Sequence, residues 1–270
     1  MNYEIKFHVA GGIFSYIGIL FENLLEWDKT GVLNETDTIY ADSRNLINRT
    51  TFSQTNFNFF DLILDQNKFV TGKLVTSRIH PVYLDEFNEK KEDYKRISKK
   101  YLRLNKDVES YVNNFINNNF NGKTLGVHVR MTDMNHHHPY LGQVKNNHYL
   151  DTISRVLSTG NYDKLFLASD NYESIDLIKE EYGDIVVHNE TEFRAVESNV
   201  DSFHYHKNVW LNSPKYYSDS FIDAVLLSNC DATIGRASLF NWGSQSFHWG
   251  KIKDYYHIEG EVSPIKDPNM

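Results

Sequence analysis

The chain contains a single cysteine, Cys230, so no intramolecular disulfide framework is open to it. It also lacks an excess of basic charge. Lys and Arg number 28 against 36 Asp and Glu, a formal net charge of −8, and this excludes the basic footprint of a nucleic-acid binder. A local basic pocket for a phosphate remains compatible with that balance. Long apolar runs are missing too. The most apolar stretch, Phe7 to Phe21, spans 15 residues, too few for a membrane span, and it is broken by His8 and Gly11-Gly12. It does not have the form of a signal peptide, because Glu4 precedes Lys6 and no small-residue cleavage site follows. No Gly-x-Gly-x-x-Gly and no Walker loop stands at a strand–helix junction, which removes two common frames for binding a nucleotide. The expectation is a soluble, cytoplasmic protein (bacterial or host-cell cytosol) with no membrane span and no nucleic-acid partner.

What is present suits an ordinary globular chain. Hydrophobic residues make up 40% and charged residues 24% of 270, enough for one large domain or two small ones. The 17 Tyr and 17 Phe fill cores first, although rings also line sugar and base sites. Three Asn-x-Thr sequons, at Asn34, Asn48 and Asn189, are what an Asn-rich chain yields by chance.

The pattern along the chain is one of strands and helices in turn. Glu4 to Ala10 reads as a strand, Gly11-Gly12 as a turn, and the stretch to about Trp27 as a helix with Phe14, Ile17, Phe21, Leu24 and Leu25 on one face. Thr38 to Ala41 and Leu74 to Ser77 are short strand candidates, and Asn56 to Leu64 is ambiguous. Pro81 to Ile116 reads as two charged helices with a break near Asn105. The polar run Asn117-Asn-Asn-Phe-Asn-Gly122 marks a domain junction. Beyond it the alternation is regular, with strands at Leu125 to Arg130, Lys164 to Ala168, Ile185 to Val187 and Ala232 to Gly235. Helices fall at Tyr149 to Leu157, Tyr172 to Tyr182 and Ser220 to Asn229. Such alternation implies a parallel sheet covered on both faces. The expected domains are therefore residues 1–121 and 122–270.

Three stretches carry candidate chemistry. In Thr124-Leu-Gly-Val-His-Val-Arg-Met-Thr-Asp133, a buried strand delivers His128, Arg130 and Asp133 at its carboxyl end, where ligands bind in open α/β sheets. His128 and Arg130 share a face because strand side chains alternate. An arginine there grips a phosphate with two parallel bonds. The second stretch runs from Asp223 through Asp231 to Gly235, Arg236 and Ser238. A helix starting near Ser238 would aim backbone N–H groups at an anion, with Arg236 adding charge and Asp223 accepting bonds from a ribose or base. The competing readings are a helix N-terminal charge for Asp223 and a solvated surface residue for Arg236. The third is the loop-like Phe193-Arg194 to His206, where Arg194 is either a phosphate contact or a surface residue. Asp170, at the end of Leu165-Phe-Leu-Ala-Ser-Asp170, is a further pocket candidate. Three consecutive histidines, His136 to His138, do not converge on one ion easily, so no metal is expected and one imidazole is a candidate general base.

These blocks resemble the superfamily of the α1,6-fucosyltransferases, nodulation fucosyltransferases and protein O-fucosyltransferases. Gly126-Val-His-Val-Arg-Met-Thr-Asp133 is similar to its His-Val-Arg-Arg-Thr-Asp signature. Leu165-Phe-Leu-Ala-Ser-Asp170 is similar to its Phe-x-Ala-(Ser/Thr)-Asp strand end, and Asp223 to Asp231 with Gly235 to Ser238 to its last block. The resemblance implies an α/β fold of GT-B type, two Rossmann-like halves with parallel sheets facing a central cleft. The first half would take the acceptor and the second a nucleotide sugar. It implies an inverting glycosyltransferase without cofactor or metal, acting on GDP-fucose first or another donor such as UDP-xylose, with a glycan hydroxyl as acceptor. It places His128 and Arg130 at the diphosphate, Asp223 at the nucleoside and Ser238 near the phosphates. Two departures stand out. Met131 replaces a second arginine, and His138 stands where the α1,6 group carries a glutamate proposed as the base. The alternative from another class is a non-catalytic nucleotide- or glycan-binding module.

Overall fold

The computed structural model describes residues 2–7, 13–31, 38–46, 60, 73–75, 84–132, 143–196 and 213–258. The chain is mixed α/β and divides into two compact units. One holds Met1–Phe115, Val209–Asn229 and Ser238–Lys251; the other holds Ile116–Asn208, Cys230–Ala237 and Ile252–Met270.

In the first unit β1 (Asn2–Phe7) lies between β2 (Thr38–Leu46) and β3 (Lys73–Val75), and both pairings are parallel. Helix α1 (Ile13–Lys29) follows β1. Phe14, Ile17, Phe21, Leu24 and Leu25 are all buried, as the helical spacing predicts. The charged region beyond forms two helices, α2 (Leu84–Tyr101) and α3 (Lys106–Asn119), with the break at residues 102–105. Phe21 of α1 meets Tyr94 of α2 at 5.6 Å between ring centroids. Asp28 of α1 accepts hydrogen bonds from Lys100 and Tyr101 of α2 at 2.8 and 2.7 Å, and also pairs with Arg96.

The second unit is built on a five-stranded parallel sheet. Its strands are β4 (Thr124–Val129), β5 (Lys164–Ser169), β6 (Val186–Val187), β7 (Ala232–Gly235) and β8 (Asp254–His257), in the spatial order β6-β5-β4-β7-β8. Two helices join the first three strands, α4 (Asn146–Thr159) between β4 and β5 and α5 (Tyr172–Tyr182) between β5 and β6. One face of the sheet presents Leu125, Val127 and Val129 of β4, Leu165 and Leu167 of β5, and Ala232 and Ile234 of β7. Tyr149, Ile153 and Val156 of α4 and Ile175 and Ile178 of α5 join them in one core. Alternation sends Gly126 and His128 to the opposite face.

The strands are pinned at their starts. Gly122 adopts φ +96°, and a Cβ there would come within 2.2 Å of Asp163 Oδ2. That carboxylate instead accepts from Lys123 N at 2.8 Å. Thr124 and Asp231 tie β4 to β7, with Thr124 N donating to Asp231 Oδ2 and Asp231 N donating to Thr124 O, both at 2.8 Å.

Two more helices return to the first unit. These are α6 (Pro214–Ser228) and α7 (Leu239–Ser246). Phe14 of α1 meets Phe240 of α7 at 4.5 Å, and Phe221 of α6 meets Phe247 at 5.4 Å. Helix α6 starts six residues before the expected Ser220, at Ser213-Pro214, the N-cap and first helical position. It is buried continuously from Phe221 to Ser228, so no single apolar face marks its extent in the sequence. Strand β8 was not expected. It is short, and its Asp-Tyr-Tyr-His composition is drawn into the sheet by parallel pairing with β7. Of the ambiguous Asn56 to Leu64 stretch only Phe60 is described, and the tail from Val262 lies outside the described residues.

Burial alone would raise the Asp28 carboxyl, but the hydrogen bonds from Lys100, Arg96 and Tyr101 outweigh it and hold it well below the usual carboxylate range. A carboxyl depressed on folding contributes stability above its unfolded-state pKa and loses it as pH falls toward the folded value. Asp28→Asn should therefore lower stability at neutral pH and flatten its decline below about pH 5, read as urea midpoints across that range. An unchanged acid dependence would contradict the assignment.

Candidate active site at the carboxyl edge of the sheet

The order β6-β5-β4-β7-β8 places a topological switch point between β4 and β7. From β4 the chain winds outward through β5 and β6, then returns to the other side of β4 for β7 and β8. At such a point two neighbouring strand ends are followed by chain leading in opposite directions, and a crevice opens outside them. Register fixes what stands there. His128 is level with Ala168 and Gly235, and Val129 with Ser169. The next residues are therefore Arg130 after β4, Asp170 after β5 and Arg236 after β7.

These groups differ in exposure. Arg236 is 2% exposed and Arg194 3%, so both readings of them as surface residues are overturned. His128 and Asp170 are buried as well, whereas the Arg130 side chain keeps 26% of its surface open. Of these three arginines, Arg130 is the most open to solvent. Met131 is buried in the apolar core under the sheet with Val129 and Tyr149, so its side chain brings nothing polar to the edge.

The loop after β4 is held by neighbouring elements. Asp170 accepts from Met131 N at 3.1 Å, Thr132 N at 3.3 Å and Thr132 Oγ1 at 2.6 Å, and lies 3.5 Å from Arg130 Nε. Arg130 N donates to the hydroxyl of Tyr149 at 3.2 Å. Burial pushes the Tyr149 phenol up to about 12, so it stays protonated at neutral pH. The end of β5 is held in turn by a strap at residues 191–196. Arg194 Nε donates to Ser169 O at 2.9 Å, Ala195 N to Asp170 O at 2.9 Å, and Tyr172 N to Ala195 O at 2.8 Å. Tyr172 Oη donates to Thr191 O at 2.6 Å. Asn171 caps α5, its Oδ1 accepting from Ser174 N at 2.8 Å.

Asp223 and Ser238 belong to the first unit. Asp223 is the tenth residue of α6 and is 6% exposed, so it is not a charge at a helix N-terminus; the earlier start of α6 overturns that reading. Ser238 is the N-cap of α7, where its Oγ accepts from Asn241 N at 3.2 Å and helps open the helix. Asp133 and His138 lie outside the described residues. The sequence reading passed over Tyr149 and Thr132. Thr132 sat inside the motif, but nothing in Tyr149's helical position announces a hydroxyl aimed at the Arg130 amide.

No protein-family model and no curated protein matches the sequence. Solved structures do match. NodZ alpha-1,6-fucosyltransferase co-crystallised with GDP superposes with a TM-score of 0.53 at 13% identity, over 90% of this chain and 91% of that one. Fucosyltransferase NodZ from Bradyrhizobium gives 0.52 at 12% over the same shares. POFUT1 in complex with GDP gives 0.52 at 12%, over 94% of this chain and 98% of that one. The chain therefore shares the α/β fold of GT-B fucosyltransferases, the superfamily its motifs resemble.

The burial of Met131 has a testable consequence. Met131→Arg recreates the paired arginines of the resembling signature, yet it forces a guanidinium into an apolar core. It should cost at least about 3 kcal/mol in a denaturant titration. A neutral effect would show that position 131 has access to the edge.

Proposed function

We propose that this chain is an inverting glycosyltransferase that moves a sugar, fucose from GDP-fucose first of all, to a hydroxyl of a glycan. The observation that carries the reading is the part-open guanidinium of Arg130 at the switch point, one strand away from the buried guanidinium of Arg236. Two fixed cations and partly water-excluded surroundings suit a diphosphate, because charge interactions strengthen as the local dielectric falls. The fold shared with NodZ and POFUT1, crystallised with GDP, favours a guanosine nucleotide over the alternative UDP-xylose.

In this reaction the acceptor oxygen attacks the anomeric carbon, and the bond from that carbon to the diphosphate oxygen breaks on the opposite side. The acceptor proton goes to a base, for which His138 is the candidate, with Asp133 five residues before it in the chain. The leaving diphosphate gains negative charge as the bond breaks. Preorganised donors aimed at that charge lower the barrier most. Arg130 supplies this stabilisation, with Arg236 behind it and His128 on the same strand. Asp223 is assigned to the nucleoside and Ser238 to the phosphates, while Arg194 supports the edge through the end of β5. Neither a metal nor another cofactor is assigned a role. Among the described residues no helix is long and apolar enough to cross a membrane, and we assign the enzyme to the cytoplasm.

A thermal-shift panel of GDP, UDP, ADP and their sugars tests the donor site. A ligand at 100 times its Kd stabilises by about 2.7 kcal/mol, so GDP and GDP-fucose should raise Tm clearly, and a panel with no shift ends the donor-site reading. Sugar transfer then separates enzyme from binding module. A charge-assisted contact contributes about 1.5–3 kcal/mol, so Arg130→Ala should slow transfer by about tenfold to a hundredfold. Near-native turnover in that variant would remove Arg130 from the mechanism.

A further inference from the structure

We propose that Asp170 is a positioning residue that aims Arg130, and not a contact to the nucleotide sugar; this rests on the assignment of Arg130 to the diphosphate. An ionised carboxylate has about four lone-pair sites. Asp170 fills them with protein donors. Oδ1 accepts from Met131 N at 3.1 Å and from Asn171 Nδ2 at 3.0 Å. Oδ2 accepts from Thr132 N at 3.3 Å and from Thr132 Oγ1 at 2.6 Å, and faces Arg130 Nε at 3.5 Å. The side chain is only 5% exposed. An acid serving a ribose or a base needs an oxygen to spare and a path to it, and this carboxylate has neither.

Three of its four hydrogen bonds come instead from Met131 and Thr132, and with the Arg130 ion pair they bring three consecutive residues of the turn out of β4 onto one carboxylate. Gathering them around one carboxylate sets the course of that turn. Asp170 meets Arg130 at Nε, so what it fixes is the stem side of the guanidinium and not its two terminal nitrogens. The grip has a firm base, because Asp170 O accepts from Ala195 N and Ser169 O from Arg194 Nε, both at 2.9 Å. Tyr149 holds the same turn from the other side through Arg130 N.

A double-mutant cycle on GDP affinity tests the proposal, using Asp170→Asn, Arg130→Ala and the double variant in calorimetry. If Asp170 acts through Arg130, Asp170→Asn weakens GDP binding by about tenfold or more in the wild-type background and by less than about twofold once Arg130 is gone. If the two losses simply multiply, Asp170 works independently of Arg130 and the proposal is overturned. Thr132→Val removes the 2.6 Å bond while keeping the shape of the side chain. It should show the same pattern at smaller size, and it serves if Asp170→Asn fails to fold. Amide hydrogen exchange without nucleotide gives an independent reading. Exchange at Met131 and Thr132 should quicken in Asp170→Asn while β5 and α4 stay protected, and unchanged exchange overturns the proposal. Should the wild-type protein not bind GDP at all, the donor-site reading fails, and the exchange measurement alone decides whether Asp170 shapes the turn.

Discussion

The candidate site depends on the parallel register that brings the ends of β4, β5 and β7 to one level. Pairing of Val129 with Ser169 and of His128 with Gly235 sets Arg130, Asp170 and Arg236 side by side without any long side-chain search. The register is itself over-determined. Thr124 and Asp231 exchange two hydrogen bonds where β4 and β7 begin, and Gly122 with Asp163 turns the chain into β4. Beneath the edge, Leu125, Val127, Val129 and Met131 alternate into one apolar core, so a slip of one residue would expose all four.

Burying charged groups at such an edge is costly unless each is answered by hydrogen bonds or by opposite charge. Asp170 is answered by backbone and hydroxyl donors, and Arg194 by the carbonyl of Ser169. These bonds hold the described residues of the edge in place before any ligand arrives, and the proposed role of Arg130 at a leaving diphosphate relies on such preorganisation.

Much of this architecture was legible from residue pattern. Short stretches rich in Leu, Val, Ile and Ala marked β4, β5 and β7, and α5 is bounded by Asn171 as cap and Gly183 after its last residue. The three blocks resembling fucosyltransferases led to the fold that NodZ and POFUT1 share. The misreadings have local causes. Helix α6 is buried over most of its length, so periodicity could not set its start, and Asp223 was placed near an N-terminus that lies nine residues earlier. For Arg194 and Arg236 the surface alternative stayed open because burial of a guanidinium depends on distant partners. The saturation of Asp170 is likewise a tertiary fact, since its Met131 and Thr132 donors lie 39 and 38 residues away. Asp133 and His138 lie outside the described residues, so their roles rest on the motif alone.

The central claim is that a nucleoside diphosphate sits at the switch point between β4 and β7. Amide hydrogen exchange of the wild-type protein with and without saturating GDP tests it most directly. The account predicts slowed exchange concentrated at residues 128–132 and 235–238, with the far ends of the same strands unchanged. Binding of GDP with protection elsewhere and none at these two segments would contradict it.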